Sequence, residues 1–276
     1  MSLAAFLGAV GSFVRVQEFL KSPERCDMRE VASPSSSSKP SVDPENEHAI
    51  SVEGASFGWD TGKSAILKNV TLHVPWGKLT TVVGPVGCGK STLLHALLGE
   101  IPFLSNSSGD GHGEKTSTGA VRLGSSSVAY CSQNPWHMNG TVREAIVGAD
   151  TAARFDEKWY ARVVSACALR RDFDQLPRGD ASPIGSGGIA LSGGQSQRIA
   201  LARAVYARRK IVILDDVLSG LDLGTENAVF HGLFGERGLF REVGSSVLMV
   251  SSSGMFFDVH PAHELFYGVG VTNLVE

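Results

Sequence analysis

The stretch GPVGCGKST, residues 84–92, stands between an apolar β-branched run, TTVV, and a helix-forming run, TLLHALLG. It satisfies the spacing G-x-x-x-x-G-K-[ST], which between a strand and a helix start marks a phosphate-binding loop. The glycines let the backbone wrap closely round a phosphate chain with its N–H groups pointing inward. Lys90 then reaches the β- and γ-phosphates, and the Ser91 hydroxyl is a ligand for Mg²⁺. Gly84, Pro85, Val86, Gly87, Cys88, Gly89, Lys90, Ser91 and Thr92 are therefore the expected nucleotide-contacting residues.

A second stretch, IVILDDVLSGLD at 211–222, is an apolar run that ends in two adjacent carboxylates, Asp215 and Asp216. Charges at the end of a buried strand are costly unless a cation neutralises them. Beside a phosphate-binding loop, Asp215 would hold the Mg²⁺ that bridges the phosphates, and Asp216 could orient or deprotonate an attacking water. The plainer alternative is a pair of helix-capping aspartates.

Short apolar runs separated by helices recur after Thr80, as TTVVG, SVAYC, IVILD and SVLMVS. They predict a parallel sheet covered on both faces. Before them, 49–57 and 66–74 alternate like strands of an antiparallel sheet. Residues 105–119 are too polar and glycine-rich to pack and predict an exposed insertion, while 156–170 have the periodicity of a helix in a separate helical region. Residues 33–47, rich in Ser, Pro and charge, read as a flexible linker.

At the N-terminus, LAAFLGAVGSFV stops at Arg15, too short to span a bilayer and without the basic start of a signal peptide. Phe6, Val10, Phe13 and Leu20 recur at helical spacing, as on an amphipathic helix packed against a neighbour. With 25 basic against 28 acidic residues, the net charge of −3 argues against a nucleic-acid surface. The four cysteines lack CxxC spacing, which fits reduced thiols better than a zinc site.

LSGGQSQRIALARAVY, residues 191–206, separates the many families that use such a loop. Ser192 can cap the following helix, and Gly193 and Gly194 let a phosphate approach its first N–H groups. Ser192, Gly193, Gly194 and Gln195 resemble the signature of ATP-binding-cassette (ABC) proteins, and the likeness runs from about residue 48 onward. It implies a P-loop NTPase α/β core with an antiparallel β-subdomain and an α-helical subdomain. It further implies that Gln133 in YCSQNPW senses the Mg²⁺ site, that Asp222 in LSGLD lies at the dimer interface, and that Trp59 in SFGWD stacks on adenine. The metal set would be Ser91, Gln133 and Asp215, and the cofactors ATP and Mg²⁺.

Finer wording, such as AYCSQNPWHMNGTVREAI, resembles the first nucleotide-binding domain of subfamily C, the multidrug-resistance-associated exporters. Residues 11–25 are similar to the segment that leaves the first transmembrane domain there. The implied organisation is a helix and tail at 1–30, a linker at 31–47 and a nucleotide-binding domain at 48–276. The implied partners are a second nucleotide-binding domain and an exporter's transmembrane domains, which are not in this chain and would hold it at the cytosolic face of a membrane. No nucleic acid is expected.

The chain departs from the family pattern at its own hydrolytic site. Asp216 stands where most members have glutamate, a replacement typical of this subfamily's first domain. Ser251 and Ser252 stand where the family has a threonine–histidine pair, and His260 and His263 lie farther on as loop residues. Ser186 replaces a usual glutamate. Asp216, Ser252 and Gln133 are thus the expected catalytic set of a weakly hydrolytic site, while the complete signature would serve a partner's site. The alternatives are a regulatory ATP-binding module or a truncated transporter fragment.

Overall fold

In the computed structural model the described residues are 3–21, 27, 29–32, 48–59, 65–102, 104, 120–148, 155–186, 188–252 and 266–270. The chain begins with α1 (Leu3–Lys21), β1 (Glu30–Val31), β2 (His48–Phe57), β3 (Leu67–Pro75), β4 (Leu79–Val83) and α2 (Lys90–Leu97). It continues through β5 (Ala120–Leu123), β6 (Val128–Cys131), β7 (Gly140–Thr141), α3 (Val142–Val147), α4 (Glu157–Ala166) and α5 (Arg170–Gln175). Then follow β8 (Pro183–Ile184), α6 (Gly193–Tyr206), β9 (Ile211–Asp215), α7 (Leu223–Phe234), α8 (Leu239–Val243), β10 (Ser246–Ser251) and β11 (Phe266–Gly270).

Alternation along β9 and β10 decides how the layers stack. Both strands are buried throughout, and their side chains point by turns to opposite faces. Ile211, Ile213, Leu248 and Val250 join one core with Leu93, Leu94 and Leu97 of α2 and the inner faces of β2, β3 and β5. Val212, Leu214, Val247 and Met249 join a second core with α3, α4, α6, α7 and α8. The sheet they belong to has the order β11-β4-β10-β9-β6, and every pairing in it is parallel. This is the doubly covered parallel core expected from the apolar runs.

The expected strands at 49–57 and 66–74 appear as β2 and β3, antiparallel, in a sheet of order β1-β5-β2-β3. Strand β1 straddles the expected boundary between tail and linker at residues 30 and 31. It is tied in by parallel pairing to β5, by the Ala32 N–H on the Leu123 carbonyl (2.9 Å) and by the Arg122–Glu30 ion pair (2.8 Å). The rest of the linker, 33–47, the insertion at 105–119, and His260 and His263 lie outside the described residues.

One expectation is corrected. Residues 156–170 do not form a single helix: α4 ends at Ala166 and α5 starts at Arg170. The Ala168 N–H donates to the Ser165 carbonyl and the Leu169 N–H to the Val164 carbonyl, with Ala168 at φ 53°. That pair of bonds is a Schellman termination built on alanine where glycine is usual. Breaking the helix there keeps Cys167 and Leu169 both fully buried in the second core.

Helix α1 forms as expected, but its apolar positions spread beyond one stripe. Val10, Phe13, Val14, Val16, Phe19 and Leu20 are all exposed, Phe13 and Phe19 to 77%. No helix among the described residues is long and apolar enough to cross a membrane.

Candidate functional site

The order of the parallel sheet brings four strand ends together. Strand β10 lies between β4 and β9, with β6 beyond β9, and Ser251 is in register with Val83 while Val250 is in register with Asp215. The glycine-rich loop leaves the carboxyl end of β4, Asp215 closes β9, Ser252 follows β10, and Gln133 follows β6 by two residues. Open parallel sheets bind ligands at this carboxyl edge. Residues spread over 169 positions of sequence, from Gly84 to Ser252, therefore share one edge.

The loop holds its shape through Gly87 (φ 84°) and Gly89 (φ 94°), conformations that side-chain-bearing residues rarely adopt. Gly89 is also the N-cap of α2 and supplies no side-chain cap, so the helix start offers backbone donors. Lys90 is buried, with its Nζ donating to the carbonyls of Gly84 (2.7 Å) and Pro85 (2.8 Å) and lying 3.8 Å from Cys88 Sγ. The ammonium thus sits within the curve of the loop. Val86, at 89% exposed, stands at its tip, and Thr92 lies one residue past Ser91 in the first turn of α2.

Ser91 Oγ donates to Asp215 Oδ1 at 3.0 Å, so two of the expected metal ligands touch. Burial pushes the Asp215 carboxyl above the ordinary range, and Asp216 pushes it the same way. The Ser91 hydroxyl, His95 and Lys90 pull it down. A buried carboxylate beside a hydroxyl is a hard oxygen donor set, of the type Mg²⁺ takes together with phosphate oxygens. Its raised pKa marks a charge that a cation would relieve. The residues fit that ion.

Asp216 is held differently. Its backbone is left-handed (φ 48°), its N–H donates to the Val250 carbonyl (3.0 Å), and its own carbonyl accepts from Ser219 Oγ (3.0 Å). Its carboxylate accepts from the Ser252 N–H at 3.2 Å, from Ser252 Oγ at 2.8 Å and from Gln133 Nε2 at 3.4 Å. The three residues expected to form the catalytic set are therefore one hydrogen-bonded cluster. Neither aspartate caps a helix; Asp222 does, by accepting from the Thr225 N–H at the start of α7 (3.0 Å).

The signature residues lie apart from this cluster, at the start of α6. Ser192 Oγ accepts from the Gln195 N–H (3.2 Å), and Gln195 Oε1 accepts from the Ser192 N–H (3.0 Å), a reciprocal capping box. Gln195 Nε2 donates to Asp172 (3.1 Å), which also receives Arg198 at 2.6 Å. An added Cβ would meet open space at Gly193 and only ordinary contacts at Gly194. Ser186 donates its N–H to Asn139 Oδ1 (2.8 Å), and Trp59 stands 62% exposed two residues past β2.

Several participants were not legible in the sequence. Asp172 and Arg198 form a mostly buried ion pair behind the signature, and nothing in LRRDFD singles out the first aspartate. The segment that carries Gln133 is stitched to α6 by Gln197 Nε2 on the Ser132 carbonyl (3.2 Å), His137 Nε2 with Ser196 Oγ (2.7 Å) and Arg203 on the Trp136 carbonyl (3.0 Å). The seven-residue spacing of Ser196 and Arg203, two turns of α6, was the one available signal.

Residues 67–219 match the family model described as ABC transporter. ABC multidrug transporter B of Aspergillus fumigatus is 46% identical over 278 residues, covering 92% of this chain and 18% of the relative. ABC-type transporter FG02316 of Gibberella zeae is 47% identical over 277 residues, with 91% and 18% covered. ABC multidrug transporter lscH of Purpureocillium lilacinum is 40% identical over 303 residues, with 91% and 19% covered. This chain thus spans about a fifth of the length of these relatives. With the glycine loop, the paired aspartates and the capped signature helix on one α/β frame, the chain belongs to the ABC transporter family.

Proposed function

We propose that this chain is a nucleotide-binding domain that binds Mg²⁺·ATP, closes against a second such domain and drives the conformational cycle of an exporter. The observation that carries the reading is the meeting of Lys90, Ser91, Asp215, Asp216, Gln133 and Ser252 at one sheet edge, with the signature built elsewhere on the same chain. Lys90 and the loop N–H groups would hold the phosphates, Trp59 would stack the base, and Ser91, Gln133 and Asp215 would hold the metal. Mg²⁺ would offset the charge of the phosphates during transfer.

The finer assignment is to the first nucleotide-binding domain of a subfamily C transporter. Residues 1–30 would leave a transmembrane domain, 31–47 would link, and 48–276 would form the cassette at the cytosolic face of a membrane. The exposed apolar surface of α1 supports a neighbour for that segment. Gly193 and Gly194 support a role for the signature outside this chain, since neither glycine is demanded by local packing. Serine at 252 and aspartate at 216 make the domain's own site a slow one, because a carboxylate one methylene short is misplaced on the scale of about 1 Å, which costs about a hundredfold in rate.

The test is thermal stabilisation by Mg²⁺·ATP. Ligand binding raises stability by RT ln(1 + [L]/Kd), about 2.7 kcal/mol at a hundredfold excess over Kd. Lys90→Ala should abolish that increment while leaving the nucleotide-free midpoint within a few degrees. Undiminished stabilisation in the variant would remove the binding-site assignment.

A further inference from the structure

We propose that Ser252 is a restraint on Asp216, a positioning residue that draws the carboxylate onto the end of β10 and away from an attacking water. The proposal rests on the reading of this chain as a slow ATP site and gives that slowness a structural cause.

A carboxylate has about four lone-pair positions. At Asp216, the Ser252 N–H takes one on Oδ1, and the Ser252 hydroxyl and the Gln133 amide approach Oδ2. The backbone enforces the arrangement from both sides: the Asp216 N–H is bound to the Val250 carbonyl, and its carbonyl to Ser219. The left-handed φ of 48° ends the extended path of β9 after Asp215. Asp215 and Asp216 then part company, one toward Ser91 and the other toward Ser252. Aspartate tolerates the left-handed region better than most residues, so the turn is accessible without glycine.

The consequence is chemical. In hydrolysis, the water oxygen bonds to the γ-phosphorus as the bond to the β–γ bridging oxygen breaks. ADP leaves with that oxygen, and the water's proton passes to the phosphate product or, through an oriented carboxylate, to solvent. A carboxylate whose lone pairs are engaged by Ser252 has fewer free to orient that water. The serine therefore withholds a group rather than supplying one.

The experiment uses the full chain mixed with a second cassette that has an intact signature and a replaced phosphate-loop lysine. Single-turnover hydrolysis, Mg²⁺·ATP affinity and the nucleotide-free thermal midpoint are measured for Ser252→Ala, Ser252→Cys, Ser252→Thr and the double variant Ser252→Ala with Asp216→Asn. Ser252→Ala should raise the hydrolysis rate constant about 3–10-fold, the worth of one hydrogen bond. Its affinity should stay within about twofold, and its midpoint should fall by about 2–4 °C.

Ser252→Thr, which keeps both donors, should restore the parent behaviour. Ser252→Cys, with a weak donor of similar size, should give a smaller gain and decides the matter if the alanine variant does not fold. The double variant should show no gain. An unchanged or lower rate in Ser252→Ala or Ser252→Cys, with the midpoint lowered, would make the serine merely structural and overturn the restraint. Rapid hydrolysis by the unmodified chain is a separate outcome that overturns the slow-site reading itself.

Discussion

Helix α2 starts from a glycine in the left-handed region with no side-chain cap, whereas α6 starts from a serine locked in a reciprocal capping box. Every helix start leaves four N–H groups without an intrahelical partner, and the two regions resolve this in opposite ways. At α2 the nearby functional side chains turn inward to one another and to the loop: Lys90 to carbonyls, Ser91 to Asp215. At α6 the polar side chains are consumed by structure, with Gln195 shared between its cap and Asp172, and Arg198 braced on Asp172 and the Ala168 carbonyl. What remains for display is backbone, at two glycines. Helix α2 thus leaves its first N–H groups uncapped beside an inward-turned cluster of side chains, while α6 spends its polar side chains on bracing and leaves backbone at two glycines.

That contrast is most exposed at Arg198. Its guanidinium and Asp172 are each less than one-sixth exposed, and removing one partner of a buried pair costs about 3–5 kcal/mol. Arg198→Ala should lose stability on that scale in equilibrium denaturation while the folded fraction still binds Mg²⁺·ATP. A loss below about 1 kcal/mol would show that the signature side is not braced as argued.

A smaller effect, of opposite sign, is expected at Gly193. An added Cβ meets nothing within 4 Å, so Gly193→Ala should stabilise the chain by up to about 1 kcal/mol through better helix propensity. It should nonetheless slow hydrolysis in a partner cassette's site, since the added methyl group covers the displayed backbone. A destabilised variant would mean that the glycine serves this fold and not a partner.

The smallest effect belongs to Asp215. Its carboxyl is raised in the folded chain by burial, so its contribution to stability is greatest below the ordinary aspartate value of 3.8 and is lost as pH rises through the raised one. Asp215→Asn should therefore lift the nucleotide-free midpoint slightly at neutral pH, and the lift should fade on acidification. The same variant should weaken stabilisation by Mg²⁺·ATP. A midpoint lowered at neutral pH would place Asp215 with the structural residues of α6.

The glycine loop, the strands that follow the apolar runs and the Ser192 cap were all legible because their causes act within a few residues. A positive φ at Gly87 and Gly89, the unbroken apolar run of β9 and a capping box four residues long leave their mark in consecutive letters. The end of α4 was not legible, because Ala168 takes the left-handed turn without the glycine that announces it, compelled by burial of Cys167 and Leu169. Strand β1 was missed for a related reason, since two residues carry no period and only the edge of β5 gives them a partner.

Sequence by itself determined the family, the core order of strand, loop and helix, and the residue types that stand at 90, 91, 215, 216 and 252. Tertiary structure alone decided which of them meet. Ser252 and Asp216 are 36 residues apart, and they touch because β10 is laid beside β9 in a register that pairs Val250 with Asp215. Strand pairing is chosen by burial of whole faces, a property of the assembled sheet. The chemistry of the site is therefore written locally, while its geometry, including the hydroxyl that holds Asp216, is set by packing far from either residue.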